Sequence, residues 1–287
     1  MYRFAVLSLV LFAVSEIPAK EVNPLPLTTR YGQTVEGYFS PILIQHFKKQ
    51  GPLDRMMAYD VRQLSAKVVF PKGYRKGAPG WGVYLHVHSG NKPPFPTEWE
   101  ATLAKHKLIY AAPYLAGNKV ANAQRMAATL DTLATLQKTE KLDPSRIVVG
   151  GLSGGGALSM ELALNHPDRF AGVISHARNV MLKPEKLSPE YLKKIKVKQT
   201  YDPRMVFPVE FPYLKEAQFQ TIRDQKLKVV FITGKKDFNY EPIEKSKAGW
   251  DKSKVPYLIV DQPNMGHTTG NAASLDQALT FIFSKTP

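Results

Sequence analysis

Residues 147–165 constrain the fold of this chain more than any other stretch. Ile147, Val148 and Val149 form a β-branched run that passes straight into Gly150-Gly151-Leu152-Ser153-Gly154-Gly155-Gly156. Ala157, Leu158, Met160, Leu162 and Ala163 then carry the apolar spacing of a helix. A strand that turns into a helix this abruptly forces its apical residue into a strained backbone and presses neighbouring backbones together. Small residues are needed on both sides, and Gly151 and Gly155 supply them. Ser153 is therefore the candidate nucleophile. The same turn aims the Gly154 amide and the helix N-terminus at the point where an oxyanion would form. A phosphate-cradling loop is the other glycine-rich reading, but the lysine and the serine or threonine that end that motif are missing.

The rest of the chain repeats the alternation. Short β-branched or aromatic runs at 64–70, 82–88, 107–112, 146–151, 171–175, 227–233 and 256–261 read as strands. Between them, Ala123, Met126, Leu130, Leu133 and Leu136, and later Ala272, Leu275, Leu279 and Ile282, recur at helical steps and offer one apolar face each. Such alternation predicts an α/β fold with a mainly parallel sheet covered on both faces and ligands at the carboxyl ends of the strands. Residues 178–225, rich in proline and lysine and too long for a simple connection, read as a small lid or cap. No linker divides 64–287, which is expected to be one domain.

Serine is a poor nucleophile unless a histidine takes its proton and a carboxylate holds that histidine. The chain order expected for a strand-turn-helix serine is serine, acid, histidine. His267 meets it, in the loop after the 256–261 strand and ahead of the last amphipathic helix. For the acid, Asp237 follows the strand at 227–233 through Gly234-Lys235-Lys236. Asp261 and Asp251 read as strand-end and surface residues, and Asp202 in the lid is the fallback.

The strand at 82–88 ends in His88-Ser89-Gly90-Asn91. A loop in this position provides a second oxyanion donor, assigned here to the Gly90 amide with Ser89 and Asn91 as alternatives. His86 and His88 share a strand face at a spacing that metal ligands use. No further ligand cluster accompanies them, so one is expected to pack in the core and the other to brace the loop. His176, after the strand at 171–175, faces either the cleft or a structural partner.

Composition enters at the N-terminus. Arg3 precedes the apolar run 4–14 and the less hydrophobic residues 15–19, the three-part form of a secretory signal covering 1–19. The run is short of the roughly 20 apolar residues a membrane span needs, so export to the periplasm or medium is expected, with no stable span after signal removal. Residues 20–63 read as an N-terminal extension that begins as an extended leader containing Pro24 and Pro26. With no cysteine among 287 residues, thiolate metal sites and thiol redox chemistry are excluded. The formal charge of +15 comes from lysines spread along the chain without aromatic-interleaved basic motifs, the pattern of a solvated surface and not of a nucleic-acid interface.

With these residues in place, the chain resembles the α/β-hydrolase superfamily. Within it, residues 81–174 resemble secreted esterases of the polyhydroxybutyrate-depolymerase and feruloyl-esterase-like branch. The likeness is carried by Arg125-Met126 onward to Leu136, by Leu142-Asp143-Pro144-Ser145-Arg146-Ile147, by 151–156, and by Asn165-His166-Pro167-Asp168-Arg169-Phe170-Ala171-Gly172. It implies hydrolysis of a small-molecule or polymeric carboxylic ester, without a cofactor or metal, through Ser153, His267 and Asp237. Peptidases, acyltransferases and non-catalytic binding proteins share the scaffold. Tyr201, Phe207, Phe211 and Tyr213 in the lid are either an acyl-stacking surface or the lid's own core.

Overall fold

Alternation along each strand sorts the core into two layers. In the computed structural model, which describes residues 18–49, 51–178, 180–181, 209–210 and 214–285, all seven expected runs form strands. The central ones are β2 (Ser65–Phe70), β3 (Gly82–Val87), β4 (Leu108–Pro113), β5 (Ile147–Leu152), β6 (Gly172–His176), β9 (Lys228–Thr233) and β10 (Tyr257–Asp261). β1 (Lys20–Pro26) precedes them, and β7 (Val180–Met181) and β8 (Val209–Glu210) form a separate short parallel pair. Val83, Leu85, Val149, Val229 and Phe231 face one buried cluster. Their neighbours Tyr84, Val148, Val230 and Ile232 face the other. This is the period of two that a sheet covered on both faces requires.

The helices divide accordingly. Among the described residues they are, in chain order, α1 (Val35–Tyr38), α2 (Pro41–Lys48), α3 (Leu53–Met57), α4 (Glu100–Lys105), α5 (Asn122–Thr139), α6 (Gly154–Asn165), α7 (Glu216–Asp224), α8 (Tyr240–Ser253) and α9 (Ala272–Phe283). Met126, Leu130 and Leu133 of α5, Leu158 and Leu162 of α6 and Trp250 of α8 pack on the first face. Leu103 of α4 and Leu275, Leu279 and Ile282 of α9 pack on the second.

The strands run in the order β1-β2-β4-β3-β5-β6-β9-β10. Pairing is antiparallel at β1/β2 and β2/β4 and parallel from β4 to β10. The chain leaves β3 to one side for β4 and returns to its other side for β5. The carboxyl ends of β3 and β5 thus form the switch point where such sheets bind ligands.

The segment read as an extended leader is extended, and it is also part of the sheet. β1 pairs along β2 from Lys20↔Phe70 to Pro26↔Ser65, with an irregularity between Val22 and Leu25. Prolines are tolerated there because β1 is an edge strand. Beyond it Leu27, Tyr38, Phe39, Leu43 and Phe47 are buried, each contributing about 1.5–3 kcal/mol of burial. The anchor is Asp131 of α5. Its carboxylate accepts from the Tyr38 hydroxyl at 2.6 Å, the Tyr59 hydroxyl at 2.6 Å and the Tyr31 amide at 2.7 Å.

The expected signal at 1–19 lies outside the described residues except for its last two positions. Most of the expected lid, including Tyr201, Asp202, Phe207, Phe211 and Tyr213, also lies outside them. Among the described residues no helix is long and apolar enough to cross a membrane.

Candidate active site

Ser153 stands where the sequence predicts, between β5 and α6, with φ 56° and ψ −121°. That strained conformation is held by close backbone approach. A Cβ on Gly151 would lie 2.3 Å from the Val87 carbonyl oxygen, and one on Gly155 would lie 1.9 Å from the same atom. Real Cβ atoms do not come so near, so the end of β3 can reach the turn only because both positions are glycine. The turn leaves Ser153 partly accessible at the head of α6, whose first amides carry no intrahelical partner.

His267 and Asp237 arrive from two separate loops, after β10 and β9. His267 Nε2 lies 2.9 Å from Ser153 Oγ, and His267 Nδ1 lies 3.0 Å from Asp237 Oδ1. A carboxylate only accepts, so Nδ1 carries the proton and donates to Asp237. The bare Nε2 then accepts from the serine hydroxyl. The Asp237 side chain is fully buried, whereas that of His267 is 29% exposed. Asp237 Oδ1 also accepts from the Asn239 amide at 3.1 Å. The Phe238 ring stacks on the His267 ring with centroids 4.3 Å apart.

The other acids stand apart. Asp261 accepts from the Tyr240 hydroxyl and Asp251 from the Tyr257 hydroxyl, both at exposed positions.

Of the two expected oxyanion donors, the Gly154 amide lies at the N-terminus of α6, adjoining Ser153. The Gly90 amide donates instead to His88 Nδ1 at 2.9 Å. It could serve an oxyanion only by breaking that bond, because one N–H makes one good hydrogen bond. Ser89 and Asn91 are held through their carbonyls, which accept from the amides of Asn118 and Leu115.

His86 and His88 separate in role. His86 is buried in the second layer among Tyr84, Trp99 and Tyr110. Burial holds its basicity well below that of a free imidazole, with smaller contributions from His176 and His88. His88 is partly buried, braces the 88–91 loop through Gly90, and is lowered chiefly by burial as well. Among the described residues no three His, Asp or Glu side chains cluster so as to hold a metal ion.

Several site residues escaped the sequence reading. Phe238 and Asn239 directly follow the acid, and that adjacency was the available signal. Asn118 packs against Gly154, its Oδ1 2.4 Å from where a Cβ would stand, yet nothing in the residues around it marks the role. His176 is buried, and its ring bonds to the Gly270 amide in the backbone of the His267 loop and to the Tyr84 hydroxyl.

Solved structures with this fold include the S-formylglutathione hydrolase of Staphylococcus aureus. It has 17% identity and a TM-score of 0.55 over 76% of this chain and 92% of that one. The fluorophosphonate-binding serine hydrolase F of the same organism, solved with substrate bound, matches at 16% identity and a TM-score of 0.52, covering 77% and 92%. An acylaminoacyl peptidase in complex with a chloromethyl ketone matches at 15% identity and a TM-score of 0.52, over 76% of this chain but 38% of its own. At these identities the likeness shows the α/β-hydrolase fold. None of the three is a polyhydroxybutyrate depolymerase or feruloyl esterase, and a search of curated proteins returned no match. The sequence profile of the prolyl oligopeptidase family matches residues 114–284, more than half of the chain and the part that contains Ser153, Asp237 and His267. The chain belongs to the prolyl oligopeptidase family.

Proposed function

We propose that the chain is a serine hydrolase that cleaves carboxylic esters, with Ser153 as nucleophile, His267 as base and acid, and Asp237 as the orienting carboxylate. One observation carries this reading: the unbroken line from Ser153 Oγ through His267 to the buried Asp237, at 2.9 and 3.0 Å. His267 Nε2 takes the hydroxyl proton as Oγ attacks the ester carbonyl. Asp237 stabilises the imidazolium, and the Gly154 amide at the head of α6 holds the oxyanion. The imidazolium then gives its proton to the departing alcohol. Water, deprotonated by the same nitrogen, releases the acid from the acyl-enzyme.

A second reading, a peptidase, draws on the family itself, since the same machinery opens amides. Matched ester and peptide substrates separate the two. The resemblance of residues 81–174 to polyester and feruloyl esterases sets the first panel: short acyl, feruloyl and polyester substrates. We expect wild type to label stoichiometrically with a fluorophosphonate and to turn over esters. Ser153→Ala should lose labelling and at least about 10⁴-fold in turnover. Turnover of the peptides with the matched esters untouched would shift the reading to a peptidase. A wild type that neither labels nor hydrolyses any of them would overturn it. Export rests on the pattern of residues 1–19, and sequencing the N-terminus of the mature protein tests it.

A further inference from the structure

We propose that His176 and Ala177, at the carboxyl end of β6, form a positioning element that sets the relative placement of Ser153, His267 and Asp237. The inference rests on the reading just given for those three residues. Two consecutive residues bond to all three segments. The Ser153 amide donates to the His176 carbonyl at 3.0 Å. The Gly270 amide, three residues beyond His267, donates to His176 Nδ1 at 3.1 Å. Asn239 Nδ2 donates to the Ala177 carbonyl at 2.9 Å, while the Asn239 amide donates to Asp237 Oδ1.

The element is itself rigidly held. The His176 ring is fully buried, stacked on Trp99 with centroids 5.3 Å apart. Its Nδ1 accepts from Gly270, so Nε2 carries the proton and donates to the Tyr84 hydroxyl at 2.9 Å. Gly150 makes room for that hydroxyl, since a Cβ there would lie 2.4 Å from it. Trp99 closes the clamp from the other side, its Nε1 donating to the Gly270 carbonyl at 2.8 Å. Ala177 takes a left-handed φ of 51°, and its amide donates to the Ile232 carbonyl at 2.9 Å. Both nitrogens of the His176 ring are taken, Nδ1 by the Gly270 amide and Nε2 by the Tyr84 hydroxyl. The ring acts on the site through the Gly270 backbone.

Removing the Nδ1 acceptor leaves the buried Gly270 amide without a partner and loosens the loop that carries His267. A misplacement of about 1 Å at a reacting group costs about 10²-fold in rate. His176→Phe keeps an aromatic ring and loses both nitrogens, the acceptor for Gly270 and the donor to Tyr84. His176→Asn keeps an acceptor, Oδ1, close to where Nδ1 stood. We expect His176→Phe to lower kcat about 30-fold per folded molecule with KM within about twofold, and to slow fluorophosphonate labelling in parallel. We expect His176→Asn to recover to within about threefold of wild type. A folded His176→Phe with wild-type kcat, a loss confined to KM, or a His176→Asn as impaired as His176→Phe would each overturn the proposal.

Should His176→Phe not fold, Trp99→Phe decides. It removes the donor to the Gly270 carbonyl, and a kcat reduced about tenfold supports the clamp whereas an unchanged kcat overturns it. Ser153→Ala, run alongside, separates the two levels. Its inactivity beside a fully active His176→Phe sinks the positioning role alone. Activity retained in Ser153→Ala sinks the underlying reading and the positioning role with it.

Discussion

Ser153 and His267 meet at 2.9 Å, yet they are held there by opposite means. The serine is placed by backbone sterics: a strand behind it, a helix after it, a φ of 56°, and the Val87 carbonyl jammed against Gly151 and Gly155. The histidine sits on a loop with 29% of its side chain exposed. Side chains fix it: Asp237 at one ring nitrogen, Phe238 on one face, and Trp99 and His176 gripping Gly270 behind it. A group held by backbone packing should fail only when the fold fails. One held by polar side chains should fail alone, with the fold intact.

Asp237→Asn should give the largest effect and break the histidine half cleanly. An amide at this position can donate to Nδ1, which places the imidazole proton on Nε2 and leaves nothing to accept from Ser153. We expect kcat to fall about 10⁴-fold. The thermal midpoint should stay within about 4 °C of wild type, the shift that about 1 kcal/mol produces in a domain of this size. Steady-state kinetics and a thermal melt on the same preparation check both. A turnover loss matched by unfolding would erase the distinction between the two halves.

Gly155→Ala tests the other half and should do the reverse. The added Cβ, 1.9 Å from the Val87 oxygen, has to push the end of β3 out of place. Overpacking of this kind costs about 3 kcal/mol, to be read as a lower denaturant midpoint. A variant as stable as wild type, with the site merely slowed, would show that the turn yields locally and that sterics do not fix the serine.

The same division explains what was legible in the sequence. The serine turn is local, so its determinants lie within Gly151 to Gly155 and beside a recognisable strand. Asp237 and His267 could be found because each follows a strand in the expected order. The His176 and Trp99 clamps were not legible, because they join positions 94 and 171 residues apart through backbone atoms of Gly270. The bond from Gly90 to His88 was hidden for a similar reason. The position of the loop was readable, but the turn of the His88 ring onto the Gly90 amide depends on side-chain conformation. At the N-terminus, the stretch containing Pro24 and Pro26 read as an extended leader, and nothing local marked it as a strand of the sheet. An edge strand accepts the prolines, and Asp131, the anchor that holds the following residues, lies a hundred positions from Tyr31.

The smallest effect, a pH dependence of stability, sharpens the comparison because Ser153 has no titratable support and His267 does. Burial pushes the His176 pKa down to about 3, while the unfolded chain exposes a histidine of ordinary pKa near 6.5. Between these values the unfolded state binds a proton that the folded state refuses. Stability is therefore fully present above pH 6.5 and is lost as pH falls toward 3. Between pH 7 and pH 5 this single group should remove about 2 kcal/mol. His86, also buried and lowered, adds to the wild-type loss but stays in place when His176 is replaced. The informative quantity is thus the difference between wild type and His176→Asn, in denaturant unfolding at both pH values. Wild type should lose about 2 kcal/mol more than the variant over that interval. Equal losses would mean that His176 is not held neutral in the fold. A free Nδ1 lone pair, the acceptor for Gly270, would then no longer be secured across this range. Protonation at that nitrogen removes the acceptor itself, so acid should weaken the support behind His267 while leaving the glycine-packed turn at Ser153 as it was.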